Sequence, residues 1–252
     1  GAFSRVFKAS FQGAIVAVKR LKVPLSSQDK NYFTAEVSLL RELRHPRVVL
    51  LLGVCMNGPL PLMVLEFMAR GSLFHHLHDP HNPSLDHAAY FQIAHDMALG
   101  MNYLHCHRSE ILHLDLKSMN VLLTSHLRAK IADFGFSKLR HDADVAAKNA
   151  TVKQGTPAWM SPELLQSGQI STKADVYSFG IILWEMLTRL NPYEGSTSFQ
   201  IIDKTRKGHR PVIPESCPEN LESLIRACWA QNPALRPQFK VSSHDSISNK
   251  TN

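Results

Sequence analysis

Cysteine is scarce in this chain: four in 252 residues, Cys55, Cys106, Cys217 and Cys228, with no CxxC pair among them. Small secreted scaffolds need dense disulfides, and structural zinc sites need close cysteine pairs, so both classes are excluded. The spacing predicts reduced thiols in a cytosolic protein, with Cys55, Cys106 and Cys228 as core residues. Long apolar runs are missing too. The longest, residues 48–56 and 60–65, fall far short of the ~20 residues a membrane-spanning helix needs. No basic-then-apolar segment opens the sequence, so no signal peptide is expected. Nor is there a block of five basic residues. Lys and Arg number 28 against 21 Asp and Glu, a net charge of +7 spread along the chain. That diffuse excess argues against nucleic acid and mildly favours acidic partners. Hydrophobic residues at 44% and charged residues at 19% give a globular balance, which excludes disorder as the main state. The length suits one large domain or two lobes.

Periodicity then divides the chain. Residues 14–19 are apolar and β-branched and predict a strand ending on Lys19. Ser26 or Ser27 predicts the cap of a helix over 28–44, with Phe33, Val37, Leu39, Leu40 and Leu43 near one face and His45-Pro46 as its stop. The runs 48–56 and 60–68, parted by Asn57-Gly58-Pro59, predict two paired strands. Past residue 70 the pattern turns helical. Helices are expected over 71–78, over 85–105 (Ala89, Ile93, Met97, Met101 and Leu104 at helical spacing), from Ser171/Thr172 to Leu187, and near 197–207 and 219–230. The stretch 177–187 reads as apolar all round, hence a buried central helix. The break at 66–71 predicts a boundary between a β-rich and a helical lobe, and the polar residues 242–252 predict a disordered tail.

Two short segments carry chemistry: His113-Leu-Asp115-Leu-Lys117-Ser-Met-Asn120 and, 13 residues after Asn120, Asp133-Phe134-Gly135. In a loop, Asp115, Lys117 and Asn120 can face one point. The first can take a proton from a hydroxyl, the second can steady a phosphoryl oxygen, and the third can bind a divalent metal. Asp133 supplies a second oxygen ligand, and Mg²⁺ wants a few such oxygens beside phosphate. A plain polar turn is the bland alternative. Five residue types at one fixed spacing arise by chance in about one in 10⁴ chains of this length, so that alternative is weak.

On these segments the chain resembles a eukaryotic protein kinase. The resemblance covers residues 1–240 and implies an α+β bilobal fold, with a small β-rich lobe over 1–66, a hinge over 67–71, a larger mainly helical lobe over 72–240 and a polar tail over 241–252. It implies that ATP sits in the cleft between lobes. Carried over residue by residue, Lys19 in Ala17-Val18-Lys19 would touch the α- and β-phosphates, with Glu36 as its ion-pair partner. Asp115 would receive the hydroxyl proton, Lys117 would touch the transferred phosphate, and Asn120 and Asp133 would hold Mg²⁺, with Mn²⁺ possible in its place. Gly1 and Ser4 would lie on the phosphates. Val6, Ala17 and Leu122 would line the adenine pocket, Leu65 would stand as gatekeeper, and Glu66, Phe67 and Met68 would form the hinge strand. Gly155-Thr156 and Ser161-Pro162-Glu163 would close the activation segment, with Thr156 bonding near Asp115 and Lys117. Glu163 would pair with Arg236, and Asp175 would brace the catalytic loop.

The subgroup follows from a mixture. Asp115-Leu-Lys117-Ser-Met-Asn120 resembles serine/threonine kinases, whereas Lys207-Gly-His-Arg-Pro-Val-Ile-Pro214 and Cys228-Trp229 with Arg236-Pro237 resemble tyrosine kinases. That blend is similar to the tyrosine-kinase-like group, Raf and mixed-lineage relatives, and implies phosphorylation of Ser or Thr on protein substrates. The chain departs from the pattern in two places. Ser4 replaces the third glycine of the phosphate loop, whose first glycine would precede residue 1, so a fragment of a longer protein is expected. Leu114 replaces the arginine that anchors a loop phosphate, so a phosphate on Thr151 is expected to matter little unless Arg140, Lys148 or Lys153 substitutes. The rival reading is a pseudokinase, a nucleotide-binding scaffold that transfers nothing. His75, His76, His78 and His81 read as a solvent-facing helix end and not as a metal site, because no ligand set at zinc-like spacing completes them. Asn149 and Asn249 open glycosylation patterns that a cytosolic chain would not use.

Overall fold

The computed structural model describes residues 4–22, 27–56, 60–135, 137–139 and 156–240. Gly1, Ser26, residues 57–59, residues 140–155 with Thr151 among them, and residues 241–252 lie outside them.

Strands β1 (Ser4–Phe11) and β2 (Ala14–Leu21) form a hairpin. Its two turn residues, Gln12 and Gly13, both take positive φ, 50° and 80°, as a two-residue type I′ turn requires. The central strand β4 (Leu62–Glu66) pairs with β2 on one side and with β3 (Leu51–Cys55) on the other, giving the antiparallel order β1-β2-β4-β3. The strands predicted over 48–56 and 60–68 are thus shorter, and a register shift between Leu51 and Gly53 breaks the ladder. Helix α1 (Ser27–Glu42) packs behind the sheet through Phe33, Val37 and Leu40, and Leu43 just beyond it is buried as well.

In the second lobe, α2 (Leu73–His78) and α3 (His87–His105) start on side-chain caps. Ser72 Oγ accepts from His75 N at 3.2 Å, and Asp86 Oδ1 accepts from Ala89 N at 2.7 Å. Next come α4 (Pro162–Ser167), α5 (Thr172–Thr188), α6 (Ser198–Arg206) and α7 (Glu219–Cys228). Every residue over 174–186 is buried, so α5 is the axis of this lobe. Glycine lets neighbours close in at two points. A Cβ on Gly180 would meet Cys228 Cβ at 2.8 Å, and one on Gly100 would meet Arg47 O at 2.7 Å. Among the described residues no helix is long and apolar enough to cross a membrane.

Two small ribbons carry the site. Strand β5 (Ile111–Leu112) pairs with β8 (Lys138–Leu139), and β6 (Val121–Leu123) pairs with β7 (Ala129–Ile131). The loop 113–120 leaves β5 and enters β6, while Asp133 follows β7. Pairing of the ribbons therefore brings the two segments to one place.

Two expectations are corrected. Cys55 and Cys106 are exposed, whereas Cys217 and Cys228 are buried. Cys55 ends the edge strand β3 and Cys106 follows the last turn of α3, positions that no run of apolar neighbours can bury. The histidines form a solvent-facing helix end only in part: His75 and His81 are exposed, whereas His76 is buried and His78 turns inward to Glu185 Oε1 at 2.9 Å.

Candidate active site

Strand β2 aims Lys19 under the sheet toward α1, and α1 aims Glu36 back. Lys19 Nζ donates to both Glu36 carboxylate oxygens at 2.7 and 2.8 Å and to Asp133 Oδ1 at 2.9 Å. Burial alone would depress the Lys19 pKa, but attraction from Glu36 and then Asp133 outweighs it and raises the value. Burial would likewise raise Asp133, and Lys19 above all, with His113 and Lys117 behind it, pulls it below the usual carboxylate range. Lysine and aspartate are both held charged.

Across the cleft, Lys117 Nζ donates to the Asp115 carboxylate at 3.0 and 2.8 Å and to Thr156 Oγ1 at 3.1 Å. Asn120 Nδ2 donates to Asp115 O at 2.8 Å and to Oδ2 at 3.0 Å. Asp115 is thus fixed in one rotamer, ready for a hydroxyl. The loop itself is clamped by α5, because Asp175 accepts from His113 N at 3.0 Å, Leu114 N at 2.8 Å and His105 Nε2 at 2.8 Å. These bonds hold Leu114 at φ 63°, and Asp133 sits at φ 64°. Left-handed conformations at non-glycine residues persist only where the surroundings over-determine them. Phe134 is buried against the His113 ring, centroids 5.3 Å apart, which keeps Asp133 turned to the cleft.

Sheet and helical lobe enclose a cavity of about 660 Å³. Its walls include Ser4, Val6, Ala17 and Lys19 from the hairpin, Glu36 from α1, Leu65, Glu66, Phe67 and Met68 from the connecting strand, and Lys117, Asn120, Leu122 and Asp133 from the ribbons. Every sequence-predicted nucleotide residue among those described is gathered there; Gly1 lies outside them. Asp115 sits just below, linked through Lys117. Val49, Met68 and Ala132 form a small apolar cluster with Leu65 and Leu122, a flat greasy floor suited to a purine.

Among the described residues no group of three His, Cys, Asp or Glu could hold a metal. Asp133 and Asn120 nonetheless suit a cation that arrives with phosphate. The Asp133 side chain is 45% exposed and has one oxygen committed to Lys19. The Asn120 amide nitrogen is committed to Asp115, which leaves its carbonyl oxygen for a ligand.

Sequence reasoning missed two groups. Lys130 Nζ grips both Glu66 oxygens at 2.7 Å, while Glu66 Oε1 accepts from Leu50 N at 2.8 Å, so the hinge glutamate is held by its side chain. Glu185, buried within α5, binds His78, Ser118 and Trp159. Glu185 is the one charged residue within 177–187, which was the available signal, and reading that stretch as uniformly apolar passed over it. The Glu163–Arg236 pair is in place, with Arg236 Nη1 donating to Glu163 Oε1 at 2.7 Å and Nη2 to Oε2 at 2.8 Å.

The family model described as protein tyrosine and serine/threonine kinase matches residues 1–245, and the chain belongs to that family. It is 41% identical over 244 residues to the probable serine/threonine-protein kinase drkC of Dictyostelium discoideum, covering 95% of this chain and 32% of that protein. It is 37% identical to the serine/threonine/tyrosine-protein kinase HT1 of Arabidopsis thaliana, covering 95% of this chain and 61% of that protein. A third relative, the serine/threonine-protein kinase CTR1 of Arabidopsis thaliana, is 37% identical, with 95% and 29% covered. The chain therefore spans less than two thirds of the length of these relatives. The bilobal α+β architecture is that of the family, whose members use ATP, a divalent metal and protein substrates.

Proposed function

We propose that this chain is the catalytic domain of a serine/threonine protein kinase that transfers the γ-phosphoryl group of ATP to a protein hydroxyl. The observation that carries the reading is the Asp115–Lys117–Thr156 chain of hydrogen bonds with Asn120 on the same aspartate. Asp115 accepts or orients the acceptor hydroxyl proton. Lys117, 3.1 Å from Thr156 and within reach of both Asp115 oxygens, faces the transferred group. Lys19, kept charged by Glu36, holds the α- and β-phosphates. Val6, Ala17, Leu65, Met68 and Leu122 sandwich the adenine, and the backbone of Glu66, Phe67 and Met68 meets its edge. Ser4, standing where a glycine is usual, adds a hydroxyl near the phosphates. Asn120 and Asp133 would hold Mg²⁺, or Mn²⁺ in its stead, which when bound offsets charge on the phosphate oxygens. Residues 67–71 act as the hinge between lobes 1–66 and 72–240. Names of the relatives support Ser/Thr acceptors; a place in cytoplasmic signalling belongs to the same proposal.

Labelled γ-phosphate transfer to a generic protein acceptor with Mg²⁺, followed by phosphoamino-acid analysis, tests the reading. Phosphoserine or phosphothreonine is the expected product. Phosphotyrosine alone would overturn the acceptor class. A nucleotide-induced melting shift with no transfer would leave the pseudokinase reading in its place.

A further inference from the structure

The cavity wall includes Lys8, which has none of the roles above. Lys8 lies on β1 opposite Ala17 of β2, as Val6 lies opposite Lys19. Residues directly opposite in an antiparallel pair share a face, and so do residues two apart on one strand. Lys8 therefore shares the cleft face of the hairpin with Val6, Ala17 and Lys19. Its Nζ stands over the Phe67 ring, 5.1 Å from the centroid. That is within the ~6 Å at which an aromatic face attracts an ammonium. Phe67 directly follows β4 and lines the same cavity. In the order β1-β2-β4-β3 the strand β2 lies between, so the lysine reaches across it to the segment beyond. Among the described residues no carboxylate pairs with Lys8, and the ring is the partner of its charge.

We infer that Lys8 and Phe67 form a latch at the base end of the cleft, and that Lys8 is a positioning residue that retains the nucleotide through its base. The inference rests on the kinase reading and deepens it. One end of the latch is on the hairpin that covers the base through Val6 and Ala17. The other is on the strand whose backbone meets the base edge. Lys8 is exposed and Phe67 half-buried, so water competes for the contact. A purine bound beside Ala17 displaces part of that water, and a cation over a ring is held more strongly when desolvated. Latch and base therefore stabilise each other, by the same factor in each direction. The gain depends on neither phosphate nor metal, which belong to Lys19, Lys117, Asn120 and Asp133.

The test uses the full 252-residue chain without Mg²⁺ and measures Kd for adenosine, ADP and ATP. Lys8→Met keeps the aliphatic stem and loses the charge. It should weaken all three ligands by one common factor, about two- to five-fold. Phe67→Leu should lose at least as much, and the combined variant little more than the worse single one, because both break one contact. Lys8→Arg, whose guanidinium also stacks on a ring, should bind like the parent. A loss for ADP and ATP but not for adenosine would mean that Lys8 meets the phosphates, and would overturn the latch. Losses that multiply in full would overturn it too. A second readout needs no ligand. The ε-methylene proton signal of Lys8, identified as the one lost in Lys8→Met, should lie upfield over the Phe67 ring and move downfield in Phe67→Leu. An unmoved signal overturns the latch whatever the affinities. A parent that binds none of the three ligands overturns the nucleotide reading of the cleft and the retention built on it. A parent that binds them, beside a Lys8→Met variant that binds them equally, overturns the latch alone.

Discussion

At the scale of single residues, Lys19 sits at the focus of two carboxylates, and its role is separable from folding. Lys19→Met keeps the aliphatic stem and removes the charge, so transfer should fall by orders of magnitude while the melting profile stays cooperative. Retained activity would remove Lys19 from the phosphate site. Asp133 gives a pH signature. Its pKa is depressed in the folded chain, so its favourable contribution is present above the unfolded aspartate value of about 3.9 and is lost as pH falls through the lower folded value. The melting temperature of the parent should therefore drop on acidification below about pH 4 by more than that of Asp133→Asn, with the two curves parallel above it. Curves parallel down to the lowest pH would mean that the carboxylate gains nothing from Lys19. Asp115, Lys117 and Asn120 were legible in the sequence because a fixed short spacing in one loop survives any fold. Glu185 was not, because its three partners lie 107, 67 and 26 residues away.

Elements pack here through a few close contacts that tolerate no added volume. Gly100 lets α3 lie against the backbone of Arg47 and the side chain of Ile131, at 2.7 and 2.9 Å from a would-be Cβ. The nearest atom is a carbonyl that cannot swing aside, so Gly100→Ala should destabilise by roughly 1–3 kcal/mol despite the better helix propensity of alanine. A denaturant midpoint equal to the parent's would show that the strand end moves freely. The Glu163–Arg236 pair joins α4 to the segment after α7. The arginine side chain is wholly buried and the glutamate is 9% exposed. Three backbone carbonyls, Ala230 O at 2.8 Å, Lys173 O at 2.9 Å and Gln231 O at 3.3 Å, also accept from the guanidinium. Arg236→Ala strands a buried carboxylate, which costs about 3–5 kcal/mol. An exposed pair would cost under about 1 kcal/mol, so equilibrium unfolding distinguishes the two. Helix starts were legible at Ser72 and near Ser171 because the start signal is local, whereas Asp86 and Thr197 show themselves as caps only in the structure. The bulge at Leu51–Gly53 and the surface place of Cys55 were not, since strand order decides them and local pattern does not.

On the scale of the whole molecule, the lobes are fastened at the back and open at the front. Segment 45–50 zips onto β7 by backbone bonds, Val49 N to Ile131 O and Ile131 N to Arg47 O, both 2.9 Å. The cleft side is spanned by charged pairs, Lys19 with Asp133 and Lys130 with Glu66. The two-lobe division was legible as a change of period near residue 70. The rear zipper was not, because it joins residues some 80 positions apart through backbone atoms that carry no side-chain signal. A ligand that fills the front should therefore stabilise both lobes together. At a nucleotide concentration 100-fold above Kd the gain is about 2.7 kcal/mol, or roughly 5–10 °C for a chain of this size. ATP with Mg²⁺ should give a shift of that order in one cooperative transition. Asp133→Asn should keep the part of the shift that nucleotide gives without metal and lose the rest, since a neutral amide is a poorer ligand than a carboxylate. Two separate transitions, with only the earlier one moved by nucleotide, would mean that the rear zipper does not couple the lobes. An equal Mg²⁺-dependent shift in parent and variant would place the metal on groups other than Asp133.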